Sequence, residues 1–234
     1  MLAFPVDIPL AGSLVNSLSI AFGGALGLAV GSRLPGRYSE ITFQALGLFT
    51  GFIGLSMALK STRILILAFS LVAGSLLGEA LQLESRVNRL GESIKKRIRS
   101  KNERFGEGMI AASLLFCTGS MAILGSFEEG LHGTRTILLT KSLIDGFAAI
   151  AFATTFGVGI VASAVPLFLY QGALTLFAGL LEPVLVPAVV NEITATGGVL
   201  MIGMGITILG IKPLRIVNML PSLVIAGILA VLSG

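Results

Sequence analysis

The chain has 234 residues, 54% of them hydrophobic and only 12% charged, with a mean hydropathy of +0.96. Soluble domains carry roughly 25% charged residues, so a water-soluble globular class is excluded and lipid is the expected solvent. One Cys (Cys117) and one His (His132) exclude an internal disulfide framework and a Cys/His zinc site within one chain. The net charge of +4 comes mostly from one loop and reports membrane topology rather than nucleic-acid binding.

Taken in order, the uncharged runs give up to eight segments when measured against a span of about 20 residues. The first, Ile8–Ser32, follows an opening without a basic leader, so it is expected to stay in the mature protein. It ends at the basic turn Arg33–Leu34–Pro35–Gly36–Arg37. The second is Ile41–Leu59, closed by Lys60 and Arg63, and the third is Ile64–Gln82 with Glu79 near its end. Residues 84–106 form the one strongly polar stretch. Val87, Leu90, Ile94 and Ile98 lie on one stripe there, which predicts a basic surface helix. The fourth span, 108–127, links the halves and ends in Glu128–Glu129–Gly130. The fifth is Leu138–Ile160, the sixth Ala162–Leu181, the seventh Ile193–Ile211 and the eighth Ile216–Ser233. With eight spans, twelve Lys and Arg fall on one face and four on the other; with seven, the split is ten to six. The basic face is cytoplasmic by the positive-inside rule, which puts Arg86–Arg104 inside and the N-terminus outside.

The two ends of the chain echo each other. Ser13-Leu-Val-Asn16 runs beside Ser142-Leu-Ile-Asp145, and Gly47, Gly54, Lys60, Arg63 and Ser70 run beside Gly198, Gly205, Lys212, Arg215 and Ser222. The offset between the copies jumps by about 20 residues, the length of one span. The expectation is two pseudo-symmetric repeats, 8–82 and 138–233, parallel or inverted according to the span count.

Candidate residues follow from the rarity of polar groups in such a chain. Gly146–Leu181 holds no charged residue or His, and Lys141 and Asp145 stand one helical turn apart at its mouth. A charge facing lipid is expensive, so Asp145 is either half of a closed ion pair or a proton- or cation-responsive carboxylate, with Asn16 as its counterpart. Ser13 and Ser142 flank these positions. Glu128 and Glu129 read either as a solvated loop or as a cation-attracting vestibule. Asn191 and Glu192 follow Pro183 and Pro187, as an ordinary loop or as broken backbone near a cavity. Asn218, with Pro221, is a kink device first and a ligand site second. Gly23, Gly27 and Gly31, Gly47 and Gly51, and Gly74 and Gly78 form small-residue faces for close helix packing, which also leaves room for a homodimer. No phosphate loop, HExxH or nucleophile elbow is present, so neither an enzyme nor a cofactor or metal site is predicted.

An ordered set of blocks spans nearly the whole chain: Asn16…Gly23-Gly24…Gly27…Arg33-Leu34-Pro35, Gly125-Ser126…Glu129-Gly130, Lys141-Ser142…Asp145, Gly197-Gly198 and Gly210-Ile-Lys212…Val217-Asn218-Met-Leu-Pro221. It resembles the YqgA/YdfK-type bacterial inner-membrane proteins, an uncharacterised family. The resemblance implies a bacterial-type plasma membrane location and supplies no reaction, substrate or binding residues. It favours Glu129 over Glu128, which falls where relatives vary.

The expectation is an all-α integral membrane bundle of seven or eight transmembrane helices. Two functions are open. One is a transporter or channel for a small solute or ion with Asn16, Lys141, Asp145, Glu129 and Asn218 on its polar path. The other is a non-transporting scaffold or regulatory protein whose basic Arg86–Arg104 helix meets anionic lipid or a partner. A wet cavity reaching Asp145 favours the first, and a dry bundle with the Lys141–Asp145 pair closed favours the second.

Overall fold

The computed structural model describes residues 10–31, 36–87, 89 and 105–233, and every regular element among them is helical. In order they are α1 (Ala11–Gly31), α2 (Gly36–Ala58), α3 (Ile64–Ala80), α4 (Phe105–Cys117), α5 (Ser120–His132), α6 (Thr136–Phe156), α7 (Val158–Ala162), α8 (Ala164–Leu176), α9 (Ala178–Leu181), α10 (Pro187–Ile208), α11 (Ile216–Met219) and α12 (Pro221–Leu232). Among the described residues five helical stretches are long and apolar enough to cross a membrane: Ala11–Gly31, Glu40–Ala58, Thr136–Phe156, Val158–Leu176 and Pro187–Ile208. The bent pair α4–α5 makes a sixth if counted as one span. Ile64–Ala80 and Ile216–Leu232 are apolar but shorter. Most of the expected basic helix 84–106, the turn at 32–35 and residues 1–9 lie outside the described residues.

The breaks have local causes. The stretch expected as one span at 108–127 instead bends by 58° between α4 and α5 and stays helical to His132. Gly119 sits at the bend in extended backbone, and the Thr118 hydroxyl turns back onto the Leu114 carbonyl. Gly157, with φ +68° and ψ −145°, separates α6 from α7 in a conformation that only glycine adopts readily. Pro187 and Pro221 open α10 and α12 at positions where a missing N–H costs nothing.

Packing rests on backbone approach. A side chain at Gly23 or Gly27 would collide with the carbonyl of Gly146 or Ile150, and one at Gly31 would stand 2.5 Å from the Thr154 carbonyl. Residue numbers rise together on the two sides, so α1 and α6 are parallel. Gly54 would meet the Gly198 carbonyl at 2.6 Å and Gly205 the Gly47 carbonyl at 2.9 Å, which makes α2 and α10 antiparallel. Gly74 and Gly78 face Ser222 and Asn218, so α3 runs antiparallel to α11–α12. A side chain at Gly51 would meet nothing within 4 Å, yet its backbone N lies 3.0 Å from a Cβ placed on Gly205. The α1–α8 contact is antiparallel as well: Ser13 meets Thr175, Asn16 meets Gln171, and Ser17 Oγ donates to the Ala164 carbonyl at 2.9 Å. Large apolar side chains such as Phe22, Phe52, Phe69 and Phe147 remain exposed, as lipid-facing residues do.

Carboxylates occupy three helix starts. Glu129 Oε1 accepts the Gly12 N–H of α1 at 2.7 Å and the Arg135 Nε–H at 3.0 Å. Glu128 Oε2 accepts the Ile137 N–H of α6 at 2.9 Å. Neither residue is in a loop: both close α5, and Glu129 is buried. Glu192, 1% exposed, accepts from Ser61 Oγ (2.7 Å), Thr62 N (2.9 Å) and Arg63 N (3.2 Å), the turn that opens α3. The sequence placed Asn191 and Glu192 before a span; both lie inside α10, because Pro187 starts the helix a turn earlier. Glu128 and Glu129 each satisfy one amide that a helix start leaves unpaired, at the positive end of its dipole, while Glu192 satisfies two amides of the turn just before α3.

Two stability predictions follow from these contacts. Gly27→Ala should lower the melting temperature of the detergent-solubilised protein, since overpacking typically costs about 1–3 kcal/mol. Gly51→Ala should leave it near wild type; equal effects at both positions would count against backbone approach as the packing device. Glu192→Leu should destabilise more than Glu192→Gln, which keeps one acceptor oxygen, by about 1–3 kcal/mol for the stranded donors. Equal melting temperatures for the two Glu192 variants would count against the capping role.

Candidate functional site

Three helices bring polar side chains together where the chain can least afford them. Asn16 stands in the second turn of α1, Lys141, Ser142 and Asp145 in the second and third turns of α6, and Gln171 and Thr175 in the second half of α8. All six are buried, Asn16 and Gln171 completely. Asp145 Oδ2 accepts from Lys141 Nζ and, at 3.0 Å, from Asn16 Nδ2. The same Asn16 amide donates to Gln171 Oε1 at 3.2 Å. One turn nearer the start of α1, Ser13 Oγ lies 3.5 Å from Thr175 Oγ1. The Ser142 hydroxyl donates to its own helix at Leu138, and its carbonyl accepts from Ser19 Oγ at 2.6 Å. The Lys141 ammonium is 5.9 Å from the centre of the Phe116 ring of α4.

The positions of two amide groups are dictated by these bonds. Asn16 must turn its nitrogen to the Asp145 carboxylate, because its oxygen would repel it. Gln171 must then turn its oxygen to Asn16. Asn16 Oδ1 and Gln171 Nε2 are left buried with no hydrogen-bond partner among the described residues. A group like that in a native bundle calls for an explanation, and a ligand or a proton path is one of them.

The cluster has a polar side and a dry side. Towards the start of α1 it continues through Ser13 and Thr175 to Gly12, Glu129 and Arg135. In the other direction it stops at Ile20, Ala149, Phe152, Phe156, Ile160 and Leu167, each 1% exposed or less. The Phe152 and Phe156 rings stack with centroids 6.0 Å apart. A largely apolar cavity of about 570 Å³ borders Cys117 and Tyr170 but is not lined by Asp145 or Lys141. Asp145 itself is 6% exposed and its ion pair is closed.

The other sequence candidates lie elsewhere. Asn218 donates to Glu79 Oε2 at 2.7 Å and accepts the Glu84 N–H at 2.8 Å, while Arg215 reaches Glu79 Oε1 at 2.7 Å. This ties α11 to the end of α3, away from Asp145. Burial pushes the Glu84 carboxyl above its ordinary value, with Arg215 pulling it back and Glu79 adding to the rise. Glu192 serves the α3 turn, and Asn191 is half-buried beside it. Gln171 and Thr175 were not singled out in the sequence. The signal was a lone amide within an otherwise apolar span, where such groups hydrogen-bond across helices. Among the described residues no group of three or more His, Cys, Asp and Glu is placed to hold a metal ion.

Comparison with known proteins agrees with a membrane assignment. The family model described as "Protein of unknown function (DUF554)" matches residues 11–231. The chain is 38% identical over 218 residues to the "Uncharacterized membrane protein YdfK" of Bacillus subtilis (strain 168), covering 92% of this chain and 93% of the relative. It is 32% identical over 220 residues to the "Uncharacterized protein YqgA" of Escherichia coli (strain K12), covering 92% and 94%. No solved structure matches. With its apolar helices and a family match along nearly its full length, this multi-pass membrane protein belongs to the DUF554 family of proteins of unknown function.

Proposed function

We propose that the chain is a transporter or channel for a small solute or ion, and that its path runs past Asn16, Asp145, Lys141 and Gln171. The observation that carries this reading is the buried ion pair with unpartnered amide atoms beside it, shared by three helices. Stability is a weak reason for such a cluster. An ionised side chain at the centre of a span is disfavoured by about 2.5–3.5 kcal/mol. A hydrogen bond between membrane helices returns on average only about 0.6 kcal/mol. Replacing a buried ion pair with packed apolar residues is often neutral or stabilising.

The arrangement has the form of a polar half-path closed by a plug. Glu129 and Arg135 mark its entrance, on the outer side of a bacterial-type plasma membrane if Arg86–Arg104 faces the cytoplasm. The plug of Ile20, Phe152, Phe156, Ile160 and Leu167 closes the inner half. Eight spans suit the pairings, since α1/α8, α2/α10 and α3/α12 are then all oppositely directed across the bilayer. That supports an inverted repeat in which α4, α5 and α6 stand between the two copies. The polar-path role of Asn218 loses its support, because that side chain serves a tie between α3 and α11.

The second reading is a scaffold that moves nothing and acts through its basic segment on anionic lipid or a partner, alone or as a homodimer. The closed Lys141–Asp145 pair favours it. A swelling assay separates the two. Proteoliposomes shrunk in hyperosmotic sodium acetate or potassium acetate, with and without a protonophore, or in erythritol, should recover volume faster than empty liposomes for at least one solute, since acetic acid crosses lipid unaided and supplies both anion and proton. Phe152→Ala should speed that recovery by opening the plug, and Asp145→Asn should slow it. If correctly assembled wild-type and Phe152→Ala proteins both behave as empty liposomes for every solute, the scaffold reading stands instead.

A further inference from the structure

We infer that Asp145 is an exchange site at which a monovalent cation displaces the Lys141 ammonium and the lysine gives up its proton. The inference rests on the transport reading and adds the solute class and its coupling. Lys141 Nζ already holds a single positive charge against Asp145 Oδ2. The cluster linked to that point offers the Asp145 carboxylate itself, Gln171 Oε1 and Asn16 Oδ1 on the amide that joins them, and one turn away Ser13 Oγ and Thr175 Oγ1, beside the Asn16 and Gln171 amide nitrogens. Carboxylate, amide and hydroxyl oxygens suit hard cations, and soft thiolate-bound metals need a different set. One carboxylate among neutral donors balances one positive charge, which selects an alkali cation over a divalent one.

The observation pointing to a ligand is Asn16 Oδ1, fully buried and without a partner among the described residues. In the ion-paired state its orientation is set by the Asn16 nitrogen, which donates to both Asp145 and Gln171. A cation that replaces the ammonium on Asp145 would favour turning the Asn16 amide over, so that this oxygen faces the cation in place of the N–H that now faces the carboxylate.

The step balances. A cation M⁺ enters and binds the carboxylate; the Lys141–NH₃⁺ group leaves it, loses H⁺ to the aqueous side and remains as –NH₂. One positive charge enters and one leaves, so the site is neutral before and after the exchange. Neutrality is the condition that a low-dielectric surround imposes, since an uncompensated buried charge is far costlier than a paired one. The released amine has an apolar neighbour in the Phe116 ring. The other titratable groups facing the pair are Cys117 on α4 and, towards the entrance, Glu129 on α5 with Arg135. The α1 and α8 faces contribute Asn16, Ser13, Gln171 and Thr175, none of which titrates.

The test uses the purified full-length protein in weakly buffered detergent with a pH-reporting dye. Replacing choline chloride with NaCl or KCl should release, saturably, about one proton per chain, because the ligand must shed its proton as the cation binds. Asp145→Asn should release none. Lys141→Met should also release none while its melting temperature still rises with the cation, a split that a merely structural lysine would not give. Absence of cation-dependent proton release from the wild-type protein overturns the exchange, and it needs no variant to fold. If swelling in sodium or potassium acetate persists without that release, transport stands and only the exchange fails. If both are absent, the transport reading fails too.

Discussion

Between helices in lipid there is no hydrophobic drive, so their association depends on how closely backbones can approach. In this chain that constraint is met by glycines at Gly23, Gly27 and Gly31, each against a carbonyl of α6. The same contact fixes the site. With α1 parallel to α6 and almost touching it, Asn16 comes level with Asp145, and Lys141 has room to fold along its own helix onto the carboxylate. A longer side chain on that face would part the helices and leave the charge pair without the amide that links it to α8. The packing device and the polar cluster are one arrangement.

The sequence carried the chemical half of this better than the geometric half. Asn16 and Asp145 stood out because they share the wording Ser-Leu-x-Asn/Asp and interrupt apolar runs, and the structure joins them by a hydrogen bond. Gln171 did not stand out, because it belongs to no echoed wording and has no charge or helix-breaking proline beside it, the signals that marked Asn16, Asn191 and Asn218. Glu128, Glu129 and Glu192 were visible as residues but not as caps: each reaches a helix start distant in sequence or across a turn, and no local pattern records that partner. The bend at Thr118–Gly119 was hidden inside a run of the right length for one span.

Wording alone also could not tell which helices are related by direction. The echo matched α1 with α6, and these do touch, but in parallel. The oppositely directed neighbour of α1 is α8, whose sequence shares little of its wording. Gly47 and Gly54 meet Gly205 and Gly198 crosswise, because α2 and α10 run antiparallel. Text similarity reports residue types that suit a common packing role; direction in the bilayer depends on how many spans intervene, and a string of letters does not reveal that.

The adjacent carboxylates Glu128 and Glu129 have a mechanical consequence. One accepts an amide N–H in the first turn of α6 and the other an amide N–H in the first turn of α1, so the two parallel helices begin on adjacent residues at the end of α5. Tilting either helix at that end would break its hydrogen bond to α5. Relative movement is displaced to the far ends, where Gly31 meets Thr154 and Gly157 turns the chain into α7. Any spreading of the pair would therefore cost least at the end remote from the carboxylates, beside Phe152 and Phe156.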